Sequence, residues 1–302
     1  MHCGRNAAKA GMALLQPAML AHEGTTLTVQ LQPPDTVGMP RHTEVPRVDA
    51  VSAEDFRRLY LRQRKPVVLR GLTVDWSPPA FWTFDSLAER YGDALVVAAL
   101  LSGGTLKEDP RSGVIFERIL LRDFMSNVAT RRESHYVMAP VWNFPVELKR
   151  HYRIPVYCQS APYLRAKLWL GRAHTVTPLH WDVPHNLIVQ LVGRKRWLLF
   201  PRSAWLALYP RGLLSGMANF SRVDPEQPDL RRFPRFRSVQ AFEAIVEPGE
   251  TLFIPRGWWH HTRLLNDAVS LNFWWGGYGV ALAARASLLF KRLRRIRQNE
   301  WA

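Results

Sequence analysis

Thr177-Pro178-Leu179-His180-Trp181-Asp182 is the stretch on which the reading of this chain turns. Successive side chains of an extended strand alternate between faces, so residues two apart share one. His180 and Asp182 therefore place an imidazole beside a carboxylate. One more imidazole from another strand would complete a set of two histidines and a carboxylate. Such a set leaves adjacent positions open on an octahedral metal and is characteristic of non-haem Fe(II) oxygenases. Far downstream, Gly257-Trp258-Trp259-His260-His261 offers that imidazole in His260. His261 follows directly, but neighbouring strand residues face opposite sides, so only one of the two can reach the same centre. A lone H-x-D triplet would carry little weight, since most strand histidines are packed core residues. The surrounding sequence carries the rest.

Residues 186–192 and 195–200 are apolar runs joined by Gly193-Arg194, which reads as two strands and a tight connection. Residues 246–255 form a turn at Pro248-Gly249 and a further strand. Residues 262–265 and 268–275 flank an Asn266-Asp267 turn. Short strands with such punctuation point to a mainly β fold, a jelly roll or barrel.

The runs His180–Pro201, Pro228–Phe236, Pro248–His261 and Ser270–Trp275, taken together, resemble the JmjC-domain (cupin-8-like) 2-oxoglutarate oxygenases. The resemblance lies nearest their small hydroxylase branch, which includes the asparaginyl hydroxylase of hypoxia signalling and the tRNA wybutosine hydroxylase. It is collinear from about Asp49 to Trp275. It implies a double-stranded β-helix core with an N-terminal α/β lead-in, and Fe(II), 2-oxoglutarate and O2. It assigns the metal to His180, Asp182 and His260, with His260 as the ligand after the tryptophan pair. It assigns the far carboxylate of 2-oxoglutarate to Lys195, Tyr136 and Thr177, and places Asn186 and Asn272 near the keto acid end. Physical chemistry agrees that this carboxylate needs a cation, because a buried unpaired charge is costly. Lysine is a compact charge that suits a narrow pocket. Arg194 and Arg196 alternate with Lys195 and are expected on the solvated face. Arg172 or Arg196 is the next candidate anchor. His174 and His185 lack ligand spacing and are expected at the substrate cleft or the surface.

Of 302 residues, 41 are basic and 25 acidic, a net charge of +16 that favours anionic partners without specifying a fold. Hydrophobic content of 47% supports a sizeable core. Cys3 and Cys158 form no disulfide framework and suit a reducing compartment. No apolar run is long enough to span a bilayer, so a soluble, cytoplasmic protein is expected. The chain divides into a poorly ordered leader at 1–47, with a faint likeness to a transit peptide, an α/β part at 48–130, a catalytic β core at 131–278 and a C-terminal helix at 279–302.

Within the α/β part, Ser52 reads as a helix cap with Phe56, Leu59 and Tyr60 on one face. Phe84, Leu87, Ala88 and Tyr91 make a helical stripe ending at Gly92. Further helices are expected over 120–129 and 144–152. At the end of the chain, Leu282, Ala286, Leu289, Leu293 and Ile296 step by four and three, the spacing of a short coiled-coil seam, amid many arginines. A second copy of the chain, an anionic membrane and nucleic acid compete for that helix, and the regular seam favours a homodimer.

The expected activity is hydroxylation of an unactivated C–H bond on a protein side chain or small molecule. Demethylation by the same chemistry is less favoured, since no reader domain is apparent. RNA is permitted by charge, but no stacking module is visible. The rival from another class is a cupin shell that binds a metal or ligand without turnover.

Overall fold

Residues 268–276 are apolar or small except at Ser270 and Asn272, and every one of them is buried. A strand with that profile must be paired on both edges and covered on both faces. In the computed structural model, which describes residues 42–109, 112–126, 134–212 and 215–293, with side chains to residue 286, Ala268–Gly276 lies between Tyr163–Gly171 and His185–Val192, antiparallel to both. It is central to a 15-stranded sheet that folds into a jelly-roll core with a few helices.

Gly193-Arg194 does not close a hairpin. His185–Val192 pairs with Thr251–Ile254 and Ala268–Gly276, while Lys195–Phe200 pairs with Ala241–Val246 and Trp259–Leu264. The turn is a corner that carries the chain between the two walls of the roll. The Asn266-Asp267 turn is the opposite corner, and the two interlock. Asn266 Oδ1 accepts from the Arg194 amide at 2.7 Å, and the Leu265 amide donates to the Arg194 carbonyl. At Gly193, with φ +71°, an added Cβ would sit 2.1 Å from the Asp267 carbonyl oxygen, so only glycine fits this corner.

The lead-in is part of the same sheet. Leu95–Ser102 pairs with Ser134–Pro140, which pairs with Tyr163–Gly171. Val67–Arg70 pairs with Thr251–Ile254. The boundary expected at residue 47 falls inside ordered structure: His42–Glu44 runs parallel to Ala241–Val246, and Arg47–Asp49 runs parallel to Val67–Arg70. Residues 1–41 lie outside the described residues, as does Cys3. Cys158 is buried and free.

Ser52 caps Ala53–Phe56, its Oγ accepting from the Asp55 amide at 3.1 Å. Phe56 is buried against Tyr157 and Phe253. Leu59, expected on the same face, is 39% exposed, because the chain widens into a π-turn at Arg57–Leu61 and rotates it outward. Helix Phe84–Tyr91 buries Leu87 and Tyr91. Beyond it, a Cβ on Gly92 would meet the Ala88 carbonyl at 2.5 Å. The helix expected over 144–152 is only a 3-10 turn, Val146–Arg150, whose one buried side chain is Leu148. That expected over 120–129 is Leu121–Ser126, and residues 127–129 lie outside the described residues.

The C-terminal helix spans Tyr278–Leu293. Val280 is buried, while Tyr278 and Leu282 are exposed. The side chains of Leu289 and Leu293, and all of Ile296, lie outside the described residues. Among the described residues no helix is long and apolar enough to cross a membrane.

Candidate metal centre

His180 and His260 face each other across an antiparallel pair, Val176–Trp181 against Trp259–Leu264. Their rings lie 4.1 Å apart. Asp182 follows directly on the first strand. One ligand atom from each of the three lies within 4.8 Å of the others.

The register explains why residues an odd distance apart reach one cavity. Thr177 pairs with Thr262 and His180 with His260, three residues on one strand against two on the other. The extra residue is a bulge at Pro178-Leu179. Proline gives no N–H to a ladder and is tolerated at such sites. Without the bulge Thr177 and His180 would face opposite ways; with it both line the cavity.

The bulge also positions a base. His180 Nδ1 lies 2.8 Å from the Pro178 carbonyl oxygen, and His260 Nδ1 lies 3.1 Å from that of Trp258. A carbonyl only accepts, so each Nδ1 carries the proton and each Nε2 keeps its lone pair for a metal. Burial lowers the pKa of both rings, the Asp182 charge only partly opposing it, so both are held neutral. Asp182 Oδ2 accepts from Trp274 Nε1 at 2.8 Å and lies 3.7 Å from His260 Nε2. Two neutral imidazoles and one carboxylate, each oriented by a further hydrogen bond, are a donor set able to hold iron.

The cavity is walled by Leu106, Met138, Trp169, Phe220 and Trp274. Lys195 lies at its inner end and is 1% exposed. Its ammonium donates to Ser270 Oγ at 2.7 Å and to Tyr136 Oη at 3.2 Å. Among the described residues no carboxylate pairs with it, and burial alone lowers its pKa to about 7. Burial pushes the Tyr136 phenol up, so it stays protonated. Asn272 Oδ1 accepts from Ser270 Oγ at 3.3 Å. Four of the lining side chains hold a buried polar atom without a hydrogen-bond partner: Thr177 Oγ1, Asn186 Oδ1, Trp169 Nε1 and Trp197 Nε1. Buried polar groups are ordinarily paired, so this cluster marks a place where a polar ligand belongs.

Several side chains lie elsewhere. His261 is on the outer face, 3.6 Å from Glu226. Arg196 does not extend into solvent but pairs with Glu243 and Glu226. Arg172 pairs with Asp267 and stacks over Phe84, away from the cavity. His174 is exposed. His185 does not line the cavity and is half-buried: it packs against Trp275 and Phe253 and accepts from the Arg256 amide, and burial lowers its pKa to about 4.

Sequence reasoning passed over Ser270 and Phe220. Ser270 had a signal, being a polar residue two positions before Asn272 in an otherwise apolar run, hence on the same face. Phe220 had none, because it comes from the long excursion between Phe200 and Ala241.

A cupin-like domain model matches residues 53–277. Over 240 residues the chain is 32% identical to lysine-specific demethylase 8 of Xenopus tropicalis, covering 77% of this chain and 53% of that protein. It is 30% identical over 234 residues to lysine-specific demethylase JMJ30 of Arabidopsis thaliana, covering 76% and 54%. It is 41% identical over 110 residues to human HSPB1-associated protein 1, covering 35% and 22%. The chain spans about half the length of the first two of these relatives.

Proposed function

Because the chain belongs to the cupin-like (JmjC) family, whose enzymes use Fe(II), 2-oxoglutarate and O2, we propose that it is a 2-oxoglutarate-dependent oxygenase that hydroxylates an unactivated C–H bond of a protein side chain or small molecule. The observation that carries this reading is the pairing of the His180/Asp182/His260 cluster with a buried lysine that lacks a carboxylate partner, in one cavity. A shell that merely bound metal would gain nothing from burying Lys195 without a counter-charge, since an uncompensated charge costs stability.

Bound here, Fe(II) with the cosubstrate and O2 supplies oxidation of C–H to C–OH, with succinate and carbon dioxide released. The chain's own residues prepare for that. His180 and His260 present fixed Nε2 lone pairs. Trp274 orients the Asp182 carboxylate. Lys195 and Tyr136 receive the far carboxylate of 2-oxoglutarate, the unpartnered Thr177 hydroxyl donates to it, and Asn186 and Asn272 meet the keto acid end. The apolar walls keep water from the reacting face.

A second reading is supported by the names of the relatives: hydroxylation of an N-methyl group, which ends in demethylation. Anaerobic addition of Fe(II) and 2-oxoglutarate should produce a visible absorption band that neither gives alone, and Asp182→Ala should abolish it. Admitting O2 should then yield succinate. Formaldehyde among the products would select demethylation, and a mass gain of one oxygen on a captured substrate would select hydroxylation. Wild-type protein that gives neither band nor succinate sinks both readings.

A further inference from the structure

Two segments remote in sequence meet beside the cavity, both along the edge of Val176–Trp181 that does not face Trp259–Leu264. One runs through Leu106, Glu108 and Gly113, and its Leu106 lines the cavity. The other is the part of the excursion that holds Arg211, Gly216 and Phe220, and its Phe220 also lines the cavity. Arg211 joins them: Nη2 lies 3.2 Å from Glu108 Oε1, and Nη1 donates to Glu108 Oε2, a two-pronged pair with both partners about three-quarters buried. The planar guanidinium matches a carboxylate fork, which fixes direction as well as distance. The backbones also touch. At Gly113, with φ +91°, an added Cβ would lie 2.9 Å from the Gly216 carbonyl oxygen.

Arg211 does more than tie two loops. Its guanidinium carbon lies 5.9 Å from the centre of the Phe220 ring. That ring is 5.0 Å from His180 and only 17° from parallel with it. A bridge between the His180 and Phe220 backbones fixes the stacked pair, and the Ser221 amide donates to the Leu179 carbonyl at 2.8 Å. Phe220 is 7% exposed. An aromatic face thus stands against one ligand imidazole inside the cavity, with the strap behind it.

We propose that Phe220 sets the size of the group that can approach the metal, and that the Glu108–Arg211 pair is the strap that holds it in place. This rests on the reading that His180, Asp182 and His260 bind a metal. Removing the ring should open space beside His180, and releasing the strap should let the ring move away from it.

The test uses the full chain loaded with Co(II), whose visible spectrum reports ligands entering its open positions. Azide is the small probe and imidazole the bulky one. In the wild type azide should bind with preference over imidazole. Phe220→Ala should narrow that preference by roughly tenfold, and Phe220→Leu by less. Amide hydrogen exchange on the metal-free protein reads the strap independently. Arg211→Ala should speed exchange by roughly tenfold or more at both Lys107 and Phe220, and Arg211→Lys should restore part of the protection. An unchanged azide-to-imidazole ratio in Phe220→Ala, with normal Co(II) uptake, overturns the size role alone. Wild-type exchange at Lys107 in Arg211→Ala overturns the strap. Failure of the wild type to take up Co(II) overturns the metal reading beneath the size role.

Discussion

Lys195 and Arg196 are adjacent on one strand and meet opposite fates. Arg196 faces outward and pairs with Glu226 and Glu243. Lys195 faces inward, more deeply buried, with two neutral oxygens for partners and no carboxylate among the described residues. His260 and His261 repeat the pattern. His261 points out toward Glu226, which also takes a forked pair from Arg263. His260 points in, with its Nε2 among candidate ligands. Outward, the arginines pair with the chain's own carboxylates, although the His261 ring nitrogens, 3.6 Å from Glu226, make no hydrogen bond. Inward it leaves donors and acceptors open. Polar groups that complete one another hold a fold together, whereas groups buried incomplete are held ready for something the chain does not contain.

The largest effects should come from the inner face. His260→Ala should weaken Co(II) binding beyond the roughly 10- to 100-fold typical of losing a mere orienting partner. His261→Ala, one residue away, should leave Co(II) affinity nearly unchanged while lowering the melting temperature. A Co(II) titration in which the two variants exchange places would break the comparison.

Lys195→Met separates ligand binding from stability. Losing one partner of a buried ion pair costs ~3–5 kcal/mol, so 2-oxoglutarate affinity should fall by roughly 150-fold or more. Yet the ligand-free protein should melt higher, because a buried ammonium without a counter-charge disappears. Burial lowers the folded pKa of Lys195 from 10.5 to about 7, so between those values the unfolded chain binds more protons than the folded one. Stability of the ligand-free wild type should therefore rise with pH across that window, and Lys195→Met should lose that part of the slope. Melting curves at pH 7 and pH 9 decide it.

On the outer face the sign reverses. Glu226→Ala strands Arg263 and His261 and leaves Arg196 with Glu243 alone, and none of the three reaches the cavity. Hydrogen bonds to charged groups contribute about 1.5–3 kcal/mol, less for partners as exposed as these, and urea unfolding should show a loss near the lower end. Co(II) and 2-oxoglutarate affinities should stay within about threefold of wild type, well under a kcal/mol.

How far the sequence discloses this division depends on distance along the chain. Alternation separates Lys195 from Arg196 and His260 from His261, because period two is a local property of a strand. The jelly roll is legible in the turn residues, though Gly193-Arg194 gives no hint that its flanking strands lie on different walls. Glu226 as the partner of Arg263, Arg211 as the partner of Glu108, and Phe220 as a wall of the cavity are not legible. Each comes from the excursion between Phe200 and Ala241, whose path is set by packing of Leu208, Val223, Phe233 and Phe236 under the sheet and by no repeating pattern. The bulge at Pro178 was open to inference. A proline three residues before His180's neighbour Trp181, inside a strand, must interrupt the ladder, and Thr177 and His180 can share a face only if it does.

The smallest effect is the sharpest test, because it concerns one hydroxyl. Thr177 Oγ1 is buried and has no partner in the ligand-free chain. Valine matches threonine in shape but has no oxygen. If the hydroxyl is structural, Thr177→Val should cost stability, as breaking any buried hydrogen bond does. If it is reserved for a ligand, the ligand-free protein loses nothing and sheds the cost of an unsatisfied polar atom, so its melting temperature should hold or rise slightly. The loss should appear only when 2-oxoglutarate is added, as a decrease in affinity of about 3- to 10-fold, the measure of one hydrogen bond at ~0.5–1.5 kcal/mol. Calorimetric titration of the Co(II)-loaded variant, beside a melt of the metal-free one, reads both numbers. A variant that melts lower yet binds 2-oxoglutarate as the wild type does would place Thr177 with the outer face's self-sufficient groups, and the division between the two faces would not hold at this residue.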